Sequence, residues 1–579
     1  MSRGRPSLAD VRQQFEPLSI DLRGRSTPRQ RCRFCGSDVV DLIDRLKEHL
    51  IKCVDFPANL KESLDLTTSK FRKNNLQSLD QLTDQTDDET QSTLDKVDID
   101  RKLAKFFYSA GIPFTAIENP YWLDFIQTIL PAYNSPNRRN LANNLLDAEY
   151  QVERQNLDKV LNNASNITLV SDGWSNIRRE SVLNFILCLP KPIFYDAKYT
   201  GSESHTAEYI YNEFKSIIED IGPSKFAGVL TDNASAMRSA WKLLNQDYPR
   251  LICLGCNAHI GNLLIKDILK LDWVERSMNQ AKQIVNFFRT HHQAESILLN
   301  QLNTITLVQP VETRWGTCLD SIQSIRRCKL GLQMSVVQPE VSSKMTHDLK
   351  EQILGDLLWA NLEALDYFLT PFVKLIRLFE SDTPLLSYIY EEWRQIRESI
   401  NAQVLDLNFK MKVHRLIDNR FEFAFHPAMA IANLLDPNFH GKSLGPTDFE
   451  TIIIPYIEKV YTFEEAAHIY GVMQKYIAKT DEFSGALLWA SIEYSSPISW
   501  WKSNFTHKFP VVVELACRVL SIPTSSAAAE RNWSNFGFIH SKLRARLNNN
   551  RVKKLVAIYQ NLRIHKEVKE DNWFEEDEV

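Results

Sequence analysis

Asn166–Ser175 reads NITLVSDGWS, a short apolar run rich in β-branched residues that ends in an acid, a glycine and a tryptophan. A run of this length and composition predicts a strand, and its neighbours extend the pattern. ESVLNFILCLP (180–190) and PIFYDAKYTG (192–201) predict two more strands, and HTAEYIYNEFKSIIEDIG (205–222) a helix. KFAGVLTDN (225–233) predicts a strand, ASAMRSAWKLL (234–244) a helix, and RLICLGC (250–256) a last strand before a long helix from about Asn257. Three successive strands, then helix and strand in alternation, give a mixed sheet covered by helices. In such sheets sites gather at strand ends, where Asp172 and Asp232 both fall.

Two readings of these acids stand side by side. Each can cap its own turn. Alternatively, they are ligands: two ionised carboxylates on adjacent strand ends repel each other, and a divalent cation between them removes the conflict. A third acid from another element then completes a hard oxygen site for Mg²⁺ or Mn²⁺.

A chain of 579 residues exceeds what one core supports, so about three or four domains are expected, some joined by insertion. The net charge of −4 gives no global sign of nucleic acid, but eight arginines face three acids in residues 1–37, and ten Lys/Arg face three Glu in 530–570. Basic segments of this kind can neutralise phosphates or simply form solvated faces. The polar, arginine-rich start lacks a secretory apolar core, and no run approaches the ~18 apolar residues of a membrane span, so an intracellular chain without a membrane partner is expected. Nine cysteines in such a chain favour metal ligation or buried thiols over disulfides.

Along the chain, residues 1–30 read as a flexible basic terminus, 31–55 as a compact unit and 56–100 as an acidic linker. Residues 101–164 read as helical, 165–290 as the first part of the sheet-based core and 291–490 as an all-helical block. The core resumes over 491–565 before an acidic tail, 566–579. Pro523-Thr524-Ser525-Ser526 supplies a break and cap before the helix that carries Glu530.

The compact unit is CRFCGSDVVDLIDRLKEHLIKC. Cys32 and Cys35 form a two-thiolate knuckle, and His49 and Cys53 lie one helical turn apart on one face. Four such ligands in a closed tetrahedron suit structural Zn²⁺, and so short a unit needs the metal to fold. This pattern, with Phe15 upstream, resembles the BED-type zinc finger, a DNA-binding module with a small ββα-like fold. The resemblance makes Arg29, Arg31 and Arg33 candidate phosphate contacts. The chain departs from it at Val11, where an aromatic residue is usual.

SDGWS, GVLTDNASAM, CNAHIGNLL, ETRWGT and SSAAAERNWSNFGFIHSKLRARL, in this order, resemble the hallmarks of hAT-superfamily transposases over about 105–565. The resemblance implies an α/β RNase H-like core interrupted by a large all-helical insertion, with a helical C-terminal dimerisation segment. It makes Asp172, Asp232 and Glu530 the metal-holding catalytic triad. It places Trp315, beside Arg314, against a base extruded from DNA, and puts Cys256 and His259 near the active site, where they assist strand positioning. Arg531 then meets a phosphate or forms a surface salt bridge, and Cys256 and His259 are alternatively a satisfied core pair. The implied function is nuclear, metal-dependent cleavage and transfer of double-stranded DNA at terminal inverted repeats by a homodimer or higher homo-oligomer. The alternative is a host-domesticated, non-catalytic zinc-finger DNA-binding factor. Phe536, Phe538, Ile539, Leu543 and Leu547, continued by Val552, Leu555, Ile558 and Leu562, form a stripe that suits either dimerisation or intrachain core.

Overall fold

The structure is a computed structural model. It describes residues 11, 14–17, 29–40, 43–57 and 87–566, apart from 177, 190, 202–205, 312–315, 382, 542–543 and 545. Two compact units are present, Met1–Lys96 and Val97–Val579.

In the first unit, β1 (Phe15–Pro17), β2 (Arg29–Cys32) and β3 (Asp38–Val40) form an antiparallel sheet in that order, followed by α1 (Ile43–Lys52). Its small core is Val11, Phe15, Cys32, Leu46, Leu50, Cys53 and Phe56. The unit therefore begins earlier than position 31: Val11 and Phe15 are buried in it because a sheet of this size has few other apolar side chains to cover its ligands. The linker is shorter than 56–100, since α2 (Asp87–Ser109) starts inside it.

The second unit is built on a five-stranded sheet. Its strands are β4 (Ile167–Ser175), β5 (Ser181–Cys188), β6 (Pro192–Tyr199), β7 (Phe226–Thr231) and β8 (Ile252–Gly255), ordered β6-β5-β4-β7-β8. β4 pairs antiparallel with β5 and parallel with β7, and β7 pairs parallel with β8. Alternate residues serve two cores. Leu169, Leu183, Phe185, Leu187 and Val229 meet α5 (Ala207–Ile221) and α6 (Ser235–Asp247) through Phe214, Ile218 and Leu244. Val170, Val182, Ile186, Phe194 and Leu230 face the opposite layer, whose buried residues include Phe536 and Ile558. Burial on both faces explains why β5 is buried almost throughout.

Ahead of the sheet stand α3 (Pro120–Ile129) and α4 (Asn144–Asn162). After β8, every helix or strand described is helical, from α7 (Asn257–Ile268) through the long, heavily buried α8 (Asp356–Phe379) to α9 (Pro510–Leu520), α10 (Ala527–Ile539) and α11 (Asn549–Lys566). None is long and apolar enough to cross a membrane. α11 packs on α4 and on β6. There the amide of Asn561 acts as a surrogate strand: it accepts from the Phe194 N–H (3.1 Å) and donates to the Phe194 carbonyl (3.0 Å).

The C-terminal apolar stripe is intrachain core. Phe536, Ile539, Val552, Leu555 and Ile558 are buried, Leu547 and Leu562 pack against the same cluster, and only Phe538 remains substantially exposed. Covering the sheet face with these side chains removes apolar surface from water on both partners. Leu543 lies outside the described residues.

Candidate functional site

In the first unit the knuckle follows from a tight turn. The Cys32 N–H donates to the Ser37 carbonyl (2.9 Å), the Gly36 N–H donates to the Cys32 carbonyl (3.0 Å), and Gly36 adopts φ +72°, which glycine takes without strain. α1 brings His49 and Cys53 to the same point. The ligand atoms of Cys32, Cys35, His49 and Cys53 all lie within 4.8 Å of one another, with Cys35 Sγ 3.2 Å from His49 Nε2. A tetrahedral zinc with bonds of about 2.3 Å to sulfur has ligand-to-ligand edges of about 3.8 Å, so the donor set and its spacing fit Zn²⁺. Hydrogen bonds from Ser37 pull the Cys35 thiol down to about 6, whereas burial pushes Cys53 up to about 11. Arg31 is ion-paired with Asp38 (2.9 Å), and Arg33 donates to the Phe15 carbonyl (3.4 Å). Both side chains are half-exposed, so a phosphate meeting them competes with these contacts.

In the second unit, strand register sets the acids. Val170 on β4 pairs with Leu230 on β7; two residues further on come Asp172, still on β4, and Asp232, the first residue past the end of β7. Adjacent strands lie ~4.8 Å apart, so the two carboxylates emerge side by side at one end of the sheet. Asp232 Oδ1 accepts from the Ala234 N–H (3.0 Å), the turn cap that its position also suggests. Glu530 arrives from α10. Its placement begins in the loop before that helix: the Thr524 carbonyl accepts from the Asn257 N–H (2.9 Å), and the Thr524 hydroxyl donates to the Phe379 carbonyl (3.1 Å). The loop is thus pinned between α7 and α8. The Ser526 hydroxyl, expected only as a cap, donates to Glu530 Oε1 (3.3 Å), while Ser525 Oγ accepts from the Ala527 N–H.

Two residues that sequence reasoning missed tie the first acid to the last. Asn184, fully buried in β5, accepts from the Asp172 N–H (3.1 Å) and donates to the carbonyl of Ala529 (2.8 Å), the residue before Glu530. Trp533, one turn beyond Glu530, donates from Nε1 to Asp172 Oδ2 (2.8 Å) and stacks on Trp174 with ring centroids 5.2 Å apart. The available signals were a lone amide in the otherwise apolar SVLNFILC and a tryptophan close to each of two acids; a buried polar side chain requires a partner.

Burial, opposed by the Trp533 hydrogen bond and reinforced by the charges of Glu530 and Asp232, pushes the Asp172 carboxyl up to about 6. The three acids therefore feel one another. They are not drawn as tightly as the Cys/His set, which is the compact group of such ligand atoms among the described residues. Each carboxylate accepts from a different group, Asp172 from Trp533, Asp232 from the Ala234 N–H and Glu530 from Ser526, and the repulsion among ionised acids favours a bridging cation. Their hard oxygen donors, half-buried at Asp172 and Asp232 and exposed at Glu530, suit Mg²⁺ or Mn²⁺.

The remaining candidates divide. Cys256 is buried beside this site: its thiol caps α7 by accepting from the His259 N–H (3.4 Å), and burial followed by the charge of Glu530 pushes it up to about 11. It therefore does not present its sulfur to a ligand. His259 is exposed in the first turn of α7. Arg531 points from α10 to the Glu380 carbonyl at the end of α8 (2.8 Å), a helix-to-helix strap. Trp315 and Arg314 lie outside the described residues.

Comparison with known proteins covers both halves of this arrangement. Residues 136–284, which include Asp172 and Asp232, match a family model described as a domain of unknown function, DUF659. Residues 479–562, which include Glu530, match the hAT family C-terminal dimerisation region. A Zea mays protein named "Putative AC transposase" is 22% identical over 527 residues, covering 77% of this chain and 63% of that protein. The chain thus spans less than two thirds of that relative's length. By these matches the chain is similar to hAT-family transposases.

Proposed function

We propose that the chain is a DNA-acting hAT-type transposase whose sheet is an RNase H-like core, interrupted by the helices after β8 and completed by α10. The convergence of Asp172, Asp232 and Glu530 from β4, β7 and α10 on one end of the sheet carries this reading. The three carboxylates would hold Mg²⁺ or Mn²⁺, which would supply Lewis-acid stabilisation of the charge that develops at the reacting phosphate. The chain's own contribution is positional. Asn184 and Trp533 fix the orientation of Asp172 relative to α10, and Ser526 orients Glu530. In the cleavage step a water oxygen attacks phosphorus in line, the bond from phosphorus to the leaving oxygen breaks, and a 3′-hydroxyl is freed. In the transfer step that hydroxyl attacks a phosphorus of target DNA, the bond from that phosphorus to the target's 3′-oxygen breaks, and the proton passes to the departing 3′-oxygen.

The Cys/His unit, read as a BED-type finger with structural Zn²⁺, brings double-stranded DNA to the site, with Arg31 and Arg33 as phosphate contacts. Trp315 and Arg314 are assigned the extruded base, and His259 and Arg531 flank the acids. Such a protein acts in the nucleus as a homodimer or higher homo-oligomer. The test is cleavage of DNA spanning both flanks of the genomic copy, with Mg²⁺ or Mn²⁺. Wild type cuts near the flank ends and Glu530→Gln does not. DNA binding without cleavage by either protein would instead identify a non-catalytic DNA-binding factor, and equal cleavage by both would remove Glu530 from the chemistry.

A further inference from the structure

Asn233 directly follows the second acid, and the helix it precedes does not use its side chain. An asparagine beside a helix start ordinarily caps it. Here α6 starts from Ala234 with no side-chain cap, and the Ala234 N–H is already taken by Asp232 Oδ1 (3.0 Å). The Asn233 amide reaches across to the exit of the neighbouring strand instead, donating from Nδ2 to the Cys256 carbonyl (3.2 Å). Gly255 makes room for that reach. Its φ lies outside the left-handed region, so the backbone conformation alone does not call for glycine. A Cβ at position 255 would stand 2.6 Å from Asn233 Cγ and collide with its Oδ1. What excludes a side chain there is the amide that lies over it.

Both ends of this bond lead to acids. β7 and β8 run parallel with Thr231 opposite Gly255, and the Cys256 N–H donates to the Thr231 carbonyl (2.8 Å). Asp232 therefore leaves β7 between two ties to Cys256, one from the residue before it and one from the residue after it. On the far side, Asn257 is fully buried and donates from its N–H and from Nδ2 to the Thr524 carbonyl (2.9 and 3.3 Å), in the loop that leads to Glu530. We infer that Asn233 is a positioning residue, which sets the Asp232 carboxylate for the metal and keeps it in register with Glu530 through Cys256, Asn257 and Thr524. The inference rests on the reading of the three acids as an Mg²⁺ or Mn²⁺ site. Asn184 does the same for Asp172 and α10, so each strand acid is linked by a side-chain amide to the segment that carries Glu530.

The experiment measures Mn²⁺ binding to the zinc-loaded full chain by titration calorimetry. It compares wild type, Asp232→Asn, Asn233→Ala, Gly255→Ala and the double variant Asn233→Ala/Gly255→Ala, with melting in the absence of Mn²⁺ as a fold control. Asn233→Ala is expected to weaken Mn²⁺ binding about tenfold, as loss of a group that orients a ligand does, while melting within about 2 °C of wild type. Gly255→Ala is expected to weaken it to a similar extent, because the added methyl displaces the same amide. The double variant then binds no more weakly than Asn233→Ala alone, since two changes that break one contact are not additive. Mn²⁺ binding in Asn233→Ala or Gly255→Ala equal to that of wild type overturns the inference, as do losses that multiply in the double variant. An Asn233→Ala protein that melts more than about 5 °C lower makes the bond a general fold contact and also overturns it. If Asp232→Asn abolishes binding in these cases, the metal-site reading stands without the inference. Wild-type binding that is absent, or unchanged in Asp232→Asn, overturns both.

Discussion

Replacing Asp172 by Asn separates the electrostatics of the acidic site from its chemistry. Asn keeps an oxygen that accepts the Trp533 Nε1–H and removes the charge. In the folded chain the Asp172 carboxyl is pushed from its ordinary 3.8 to about 6, chiefly by burial. A carboxyl that holds its proton more tightly when folded stabilises the fold below pH ~4, and that contribution is lost as pH rises through about 6. At ~1.4 kcal/mol per pH unit, the ionised group costs the Mg²⁺-free protein up to about 3 kcal/mol at pH 7.5, falling to about 1 kcal/mol at pH 4.5. Unfolding entropy of ~2.1 cal/mol/K per residue over Val97–Val579 amounts to about 1 kcal/mol/K. Asp172→Asn should therefore melt about 3 °C above wild type at pH 7.5 and about 1 °C above it at pH 4.5, by calorimetry in Mg²⁺-free buffer. Mn²⁺ at ~100 times its Kd should raise wild type by a further ~2.7 kcal/mol and leave the variant unmoved. A variant that melts at or below wild type at pH 7.5 would refute the electrostatic reasoning, and equal stabilisation of both proteins by Mn²⁺ would remove Asp172 from the metal site.

Asn184→Leu leaves the Asp172 N–H and the Ala529 carbonyl without their partner, so a destabilisation of about 2–4 kcal/mol is expected in urea unfolding; a loss below 0.5 kcal/mol would mean that the tie is dispensable. Cys32→Ser should lower bound zinc from about one per chain to near zero by elemental analysis, because a closed tetrahedral site tolerates the loss of a thiolate poorly. Undiminished zinc in that variant would count against the Cys/His assignment.

The sheet was legible because its signals are local. Each strand is an apolar run bounded by turn residues, and Asp172 and Asp232 announce themselves as the first acids after such runs. Glu530 has no local signal of that kind, since its partners lie in strands hundreds of residues earlier, and only family resemblance pointed to it. Asn184 and Trp533 were invisible for the same reason: their bonds span 345 and 361 residues. The C-terminal stripe shows the limit of periodicity. Phe536, Ile539 and Val552 mark an apolar face without saying whether the covering surface belongs to the same chain, and here it is the chain's own sheet. Arg531 was legible as a neighbour of the site, whereas its bond to the Glu380 carbonyl, 151 residues away, depends on tertiary placement; the cap that Cys256 makes to the His259 N–H is local.

The contact between Asn561 and Phe194 also bears on how the protein is made. Phe194 belongs to β6, the outermost strand, and its outward N–H and carbonyl are closed by a side chain 367 residues further on. At a synthesis rate of ~5–20 residues per second, that edge waits roughly 20–70 s after leaving the ribosome before its cover exists. Throughout that interval the nascent chain carries an open strand edge of the kind that pairs with other chains. A truncation that ends before α11 should therefore aggregate even though every strand of the sheet is present.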